Sequence, residues 1–207
     1  AVLAHCRRHG IWIVADDAYE RLYYGGGTHP IPAPSFLDLA EPGDRVVSCN
    51  TFSKSWLMTG WRLGWIVAPP SIVPDLGKLI EYNTSCAPAF VQRAGIAAVT
   101  RGDETIAKNI ERFRRARDFL DARLQAMPRI ETVAAPGAMY TFLRVDGIAD
   151  SLAFCKRLVT EAGLGLAPGA AFGPEGEGFV RWCFASSEER LADGVTRLER
   201  FLARGTG

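Results

Sequence analysis

Three short runs dominated by apolar residues constrain this chain more than any other feature. They are Ile11–Ala15 (Ile-Trp-Ile-Val-Ala), Arg45–Cys49 and Leu63–Val67. Each is strand-sized and lacks the apolar-polar alternation of a sheet with one wet face. Such runs belong to strands covered on both faces, as in the parallel sheets of α/β proteins. They are far too short to cross a bilayer.

Helical patterns fill the intervals. Residues 1–9 read as the end of a helix closed by Gly10. Residues 25–44 hold three consecutive Gly and then four Pro, the composition of a long loop. Residues 69–83 and 89–100 read as helices. Residues 105–126 place Ile106, Ile110, Phe113, Leu120 and Leu124 at helical spacing, with Arg112, Arg115 and Arg117 on the opposite, solvated face. The second half changes character. Strands are expected over 131–135 and 139–145 around a Pro136-Gly137 turn, a helix over 151–162, and strands over 164–166 and 179–184. A last helix opens on a capping box, Ser186-x-x-Glu189, and buries Leu191, Val195, Leu198 and Leu202. The sequence therefore divides into an α/β part, residues 1–102, and an α+β part, residues 103–207, bridged by the long helix.

Composition narrows the function classes. Lys plus Arg number 24 and Asp plus Glu 23, a net charge of +1. A dedicated nucleic-acid binder needs a basic surplus to neutralise phosphates. The five cysteines are odd in number and widely spaced, with no Cys-x-x-Cys. That pattern fits free thiols in a reducing compartment better than a disulfide framework or a zinc site. With no apolar leader-like stretch near Arg7 and Arg8 and no membrane span, the expected location is the cytoplasm.

Chemistry concentrates at the ends of two strands. Asp16 and Asp17 follow the first run, with Tyr19 three residues after Asp16. In open parallel sheets, ligands bind beyond the carboxyl ends of the strands. A carboxylate there needs a cation or donors to meet it. After the second run comes Asn50-Thr51-Phe52-Ser53-Lys54-Ser55, then Gly60-Trp61-Arg62-Leu63-Gly64. Basic residues in this chain are 20 Arg and only four Lys, so a lysine here stands out. Desolvation disfavours the charged form of an amine at such an edge and suits it to act as a nucleophile. The hydroxyls of Thr51, Ser53 and Ser55, with the planar fork of Arg62, could hold a dianionic phosphate. Gly60 and Gly64 would let the backbone pass close to the ligand or turn sharply.

The string Thr51-Phe52-Ser53-Lys54 followed by Gly60-x-Arg62-x-Gly64 resembles the lysine signature of class I/II aminotransferases, pyridoxal-phosphate enzymes of the aspartate aminotransferase fold. Asp16-Asp17-Ala18-Tyr19, Pro136-Gly137-Ala138-Met139-Tyr140, Pro168-Gly169-x-x-Phe172-Gly173 and Gly178-Phe179-Val180-Arg181 resemble further blocks of that family, in its order. The resemblance implies a fold-type I architecture: the C-terminal part of a mostly parallel large domain, then a small α+β domain. It implies pyridoxal 5'-phosphate as cofactor. Lys54 would form the Schiff base with it and shuttle a proton. Asp16 would pair with the pyridinium nitrogen, and Tyr19 would hydrogen-bond the ring 3-oxygen. Thr51, Ser53 and Arg62 would take the phosphate, and Arg181 would bind the substrate α-carboxylate. Asp17 would be a capping or structural acid.

The activity so implied moves an amino group between an L-amino acid and a 2-oxo acid, with an aspartate-like donor as default, in a homodimer. Two other readings share these motifs: a C–S lyase, synthase or decarboxylase of the same fold, and the aminotransferase-like sensor domain of a transcription regulator. The chain begins without Met, and the resemblance implies a C-terminal portion, without the glycine-rich turn and ring-stacking aromatic that the family carries upstream.

Overall fold

The computed structural model describes residues 1–26 and 31–204 of the 207-residue chain. Residues 27–30 of the expected 25–44 loop lie outside the described residues. The chain divides into two compact units, Ala1–Ile110 and Glu111–Gly207.

The first unit opens with helix α1 (Val2–His9), which Gly10 closes in the left-handed conformation, its N–H donating to the Cys6 carbonyl. A glycine suits that position because it lacks the Cβ penalty. Strand β1 (Ile13–Asp16) follows, and strand β2 (Val46–Thr51) pairs with it in parallel, Asp16 level with Cys49. The connecting segment includes a short 3-10 turn, 36–38, capped by Ser35. Leu3 and Cys6 of α1 pack with Ile13 and Val46, and Phe36 and Ala40 cover them. After β2 come a single-turn helix, α2 (Phe52–Ser55), and strand β3 (Gly64–Val67). Helices α3 (Val73–Thr84) and α4 (Ala89–Arg101) complete the run before α5 (Asp103–Gln125), within which the division between the units falls.

Two expectations are corrected here. Strand β3 runs antiparallel to β2, so the three-stranded sheet, in order β1-β2-β3, is mixed. The short excursion from Thr51 to Gly64 lacks the length of a crossover helix, so the chain turns back on the strand it left. The strands are also not covered on both faces: β1 alternates, with Ile13 and Ala15 buried and Val14 71% exposed. Trp12 and Trp61 are exposed as well, and only Trp56 and Trp182 are fully core tryptophans.

The second unit is a four-stranded antiparallel sheet in order β4-β5-β7-β6: β4 (Ile130–Glu131), β5 (Tyr140–Val145), β6 (Ala167–Pro168) and β7 (Phe179–Cys183). Helix α6 (Ser151–Arg157) widens into a π-helical turn, 158–162, ended by left-handed Gly163. Helix α7 (Glu188–Ala203) closes the chain. Its cap is Ser187, whose hydroxyl accepts from the Arg190 N–H, one residue beyond the expected Ser186. The expected buried stripe Leu191, Val195, Leu198, Leu202 is buried. Gly194 lets α7 sit close to β7, since a Cβ there would stand 2.7 Å from the Trp182 ring.

The inward face of this sheet is Thr141, Leu143, Val145, Val180 and Trp182, all buried. The other face carries Tyr140, Phe142, Phe179 and Arg181, none of them fully buried. In the Pro136-Gly137 turn, the left-handed residue is Ala138, at φ 59°. Arg112 and Arg115 lie on the exposed face of α5 as expected, but Arg117 does not: it is largely buried, donates to the Ala135 carbonyl at 2.9 Å and pairs with Asp118. Its long stem lets it reach inward where a shorter polar residue would stay wet.

All described cysteines are free thiols. No helix among the described residues is long and apolar enough to cross a membrane.

Candidate active site

Parallel pairing of β1 and β2 decides the geometry of the first unit's site. Because Asp16 lies opposite Cys49, the end of β1 and the Thr51–Lys54 segment beyond β2 emerge at one edge of the sheet. Two segments some 35 residues apart in sequence thus share one rim. Across it, the Lys54 Nζ stands over the Tyr19 ring, 5.7 Å from its centroid.

Thr51 builds the turn that presents Lys54. Its backbone is extended, and its hydroxyl oxygen accepts from the Ser53 N–H at 3.1 Å, the geometry of a helix N-cap. The same hydroxyl lies 3.0 Å from Ser53 Oγ and 3.2 Å from the Leu63 carbonyl. Around α2, Trp65 meets Phe52 and Trp56 edge to face at centroid distances of 5.0 and 6.1 Å, and Phe52 and Trp56 lie tilted to each other at 4.9 Å. Trp56 Nε1 donates to the Ala98 carbonyl, fixing α2 against α4. This rigid base is what a short, one-turn helix needs, since isolated turns do not persist.

The strand returning to the sheet carries Arg62. Leu57 and Arg62 both take left-handed backbone, φ 54° and φ 51°, although neither is glycine. Two such residues flanking one short segment mark stored strain, which clusters where a chain positions groups for function. Arg62 is exposed, and among the described residues its guanidinium donates only to the Thr59 carbonyl, at 3.0 Å. Gly64 is required by the sheet, not by a ligand: a Cβ there would lie 2.5 Å from the Asn50 carbonyl oxygen. Gly60 meets nothing within 4 Å, so its place in the signature has no steric account here.

Of the two carboxylates, Asp17 is the structural one. It accepts from Ser48 Oγ at 2.6 Å and from Ser35 Oγ at 3.1 Å, and its N–H donates to the Cys49 carbonyl. It ties β1, β2 and the connecting loop together. Asp16 is exposed and, among the described residues, accepts only the Ala18 N–H, at 3.2 Å. Burial first, and the neighbouring Asp17 second, push the Glu20 carboxyl above the usual range.

The groups gathered at this edge suit pyridoxal phosphate. Two hydroxyls 3.0 Å apart and a guanidinium with unused donors match a phosphate dianion. The Lys54 amine makes no hydrogen bond or ion pair with any described residue. An exposed carboxylate, Asp16, stands at the neighbouring strand end.

Arg181 belongs to the second unit, where it lies on β7 opposite Phe142. Its guanidinium carbon stands 4.4 Å from the Tyr140 ring centroid and 4.5 Å from that of Phe172. These two rings were legible in sequence only as members of the Pro136–Tyr140 and Pro168–Gly173 blocks; their register against Arg181 comes from the β5–β7 pairing.

Comparison with known proteins sets these features in a family. Residues 1–198 match the family "Aminotransferase class I and II". Aspartate aminotransferase of Thermotoga maritima is 34% identical over 95% of this chain and 48% of its own length. A probable N-acetyl-LL-diaminopimelate aminotransferase of Bacillus subtilis is 32% identical over 99% of this chain and 50% of its own length. Among solved structures, the T. maritima aspartate aminotransferase superposes with a TM-score of 0.86 at 33% identity, covering 98% of this chain and 50% of that one. An aromatic aminotransferase from Pyrococcus horikoshii gives 0.90 at 31%, covering 98% and 54%.

The α/β unit and the antiparallel α+β unit are thus those of the aspartate aminotransferase fold. The chain belongs to the class I and II aminotransferase family. It spans about half the length of the curated relatives it matches.

Proposed function

We propose that this chain carries the lysine-bearing and carboxylate-binding parts of a pyridoxal-5'-phosphate-dependent aminotransferase. The protein would exchange an amino group between an L-amino acid, aspartate-like by default, and a 2-oxo acid. One observation carries the reading. The sheet register brings Asp16, Tyr19 and the Thr51–Lys54 turn to one edge, and the Lys54 amine there stands over the Tyr19 ring with no hydrogen bond or ion pair to any described residue.

When bound, pyridoxal phosphate supplies an aldehyde that captures amines and a ring that draws electron density from the substrate Cα. The protein's residues do the rest. Thr51, Ser53 and Arg62 hold the phosphate group. Lys54 would anchor the cofactor and, as a free amine, would act as the base that takes the proton from the substrate Cα and as the acid that returns one. Asp16 holds the proton of the ring nitrogen, so that the ring stays electron-poor. Tyr19 donates to the ring oxygen. Arg181 fixes the α-carboxylate through a bidentate pair.

Residues 1–102 would serve the cofactor and residues 103–207 the substrate carboxylate. The relatives include aspartate, aromatic-amino-acid and N-acetyl-LL-diaminopimelate aminotransferases, so the side-chain preference stays at the level of an L-amino acid. A cytoplasmic homodimer is the setting we assign to the native protein.

The test is a Lys54→Ala change in the native protein loaded with pyridoxal phosphate. Visible absorbance and cofactor retained covalently after borohydride treatment are both expected to vanish. Retention at wild-type level would remove Lys54 as the anchor and the reading with it.

A further inference from the structure

Arg181 is held in an unusual way. Its guanidinium makes no hydrogen bond and no ion pair with any described residue, yet its carbon stands over two aromatic rings, 4.4 Å from the Tyr140 centroid and 4.5 Å from that of Phe172. An arginine packed on ring faces keeps its N–H donors at the edge of the guanidinium plane, where a carboxylate fork can meet them.

The surroundings support the rings more than they bury them. Phe172 is 51% exposed and Phe142 41% exposed. Phe142 stacks flat on Phe179, 5.0 Å apart at 3°, and meets Phe172 edge-on at 5.8 Å and 89°. The backbone that presents Phe172 is narrowly specified. A Cβ on Gly169 would stand 2.0 Å from the Gly176 carbonyl oxygen, and one on Gly176 would stand 2.1 Å from that of Gly169. Gly173, next after Phe172, has φ 125°, open in practice only to glycine. Two strands and a pinched glycine loop thus converge to set two rings against one side chain, at little gain in burial for Phe172.

We propose that Tyr140 and Phe172 are positioning residues that clamp the Arg181 guanidinium in the plane needed for a bidentate bond to the substrate α-carboxylate. This rests on the proposed role of Arg181 as the carboxylate anchor. A free arginine must give up rotamer freedom when it binds a carboxylate, and the clamp removes that freedom beforehand. The ligand class follows: any amino acid or 2-oxo acid bearing an α-carboxylate, whatever its side chain.

The clamp has a signature that a role in side-chain selection lacks. Both half-reactions use the same carboxylate contact, so loss of a ring raises KM for amino acid and oxo acid by the same factor. In the cofactor-loaded native protein, Phe172→Leu and Tyr140→Leu are each expected to raise both KM values about fivefold while kcat changes less than about twofold. Phe172→Tyr, which restores a ring face, brings both back to within about twofold of wild type. Reaction of the bound cofactor with methylamine, an amine without a carboxylate, followed by absorbance, is unchanged in all three variants.

Arg181→Ala separates the two claims. If it leaves both KM values alone, the carboxylate role of Arg181 is wrong. If it raises them while the Leu variants do not, or if the Leu variants slow the methylamine reaction equally, the clamp is wrong and the carboxylate role stands.

Discussion

The Lys54 amine stands over the face of Tyr19, 5.7 Å from the ring centroid. The two residues come from different strand ends, and only the parallel pairing of β1 and β2 brings them together. The ring offers the amine a π-face at the sheet edge.

That relationship separates two jobs of one side chain. Tyr19→Phe keeps the ring under the amine and removes the hydroxyl. The expected result is a cofactor affinity about tenfold weaker, the worth of one lost hydrogen bond to the cofactor ring oxygen. Borohydride trapping through Lys54 persists. Titration of the apoprotein with pyridoxal phosphate measures the first, and an unchanged dissociation constant would rule out a Tyr19 hydroxyl contact.

Asp16 and Asp17 are adjacent and chemically identical, yet the structure gives them opposite fates. Asp17→Ala removes the acceptor of the fully buried Ser48 hydroxyl, which still accepts from Asn50 Nδ2, and that of the Ser35 hydroxyl, which still caps the Leu37 N–H. Charge-assisted hydrogen bonds of this kind make the expected loss of stability about 2 kcal/mol. Asp16→Ala loses a single exposed contact to the Ala18 N–H. It is expected to shift the urea midpoint little and to lower kcat at least about 100-fold, because the ring nitrogen loses its counter-charge. Equal destabilisation by the two changes would contradict this division.

Gly64 carries a prediction that the signature alone would misassign. A methyl at this position would meet the Asn50 carbonyl at 2.5 Å, inside the β2–β3 ladder. Gly64→Ala is expected to destabilise the native protein by about 1–3 kcal/mol, the range for overpacking against backbone. Gly60→Ala, in open space, is expected to be close to neutral. Thermal melts of the two variants side by side check the contrast.

These contrasts show where sequence reasoning succeeded and where it could not. The Lys54 segment was legible because hydroxyls, a rare lysine, an arginine and glycines fall at fixed spacing, and local chemistry alone specifies a capped turn. The second unit's buried stripes were legible because helical and strand periodicities are local. The direction of β3 was not, since strand pairing is a tertiary choice that an apolar run leaves open. The open faces of β1 were missed for a related reason: a continuous apolar run states that a strand can be covered, while cover depends on what packs there. The flanking of Arg181 by Tyr140 and Phe172 depends on a cross-strand diagonal and a glycine-pinched loop, neither of which has a sequence period.

A last prediction concerns acid stability and lies away from the site. Arg7 and Asp44 form a two-pronged pair, with Nε to Oδ1 at 2.7 Å and Nη2 to Oδ2 at 2.5 Å. The pair joins α1 to the approach of β2. The Arg7 hydrogen bond, helped by the Glu41 N–H, lowers the Asp44 carboxyl from 3.8 to about 2. A carboxyl whose folded value is depressed adds stability above its unfolded value and loses it as pH falls through the folded one. The stability contributed by Asp44 is therefore complete above pH 3.8 and fades towards pH 2. Asp44→Asn removes that dependence. Its urea midpoint is expected below wild type at pH 6 and closer to it at pH 2.5, with the gap at pH 6 narrowing in 1 M salt, which screens charges beyond about 3 Å. A gap independent of pH would show that Asp44 acts through packing or capping of the 41–44 turn rather than through its charge.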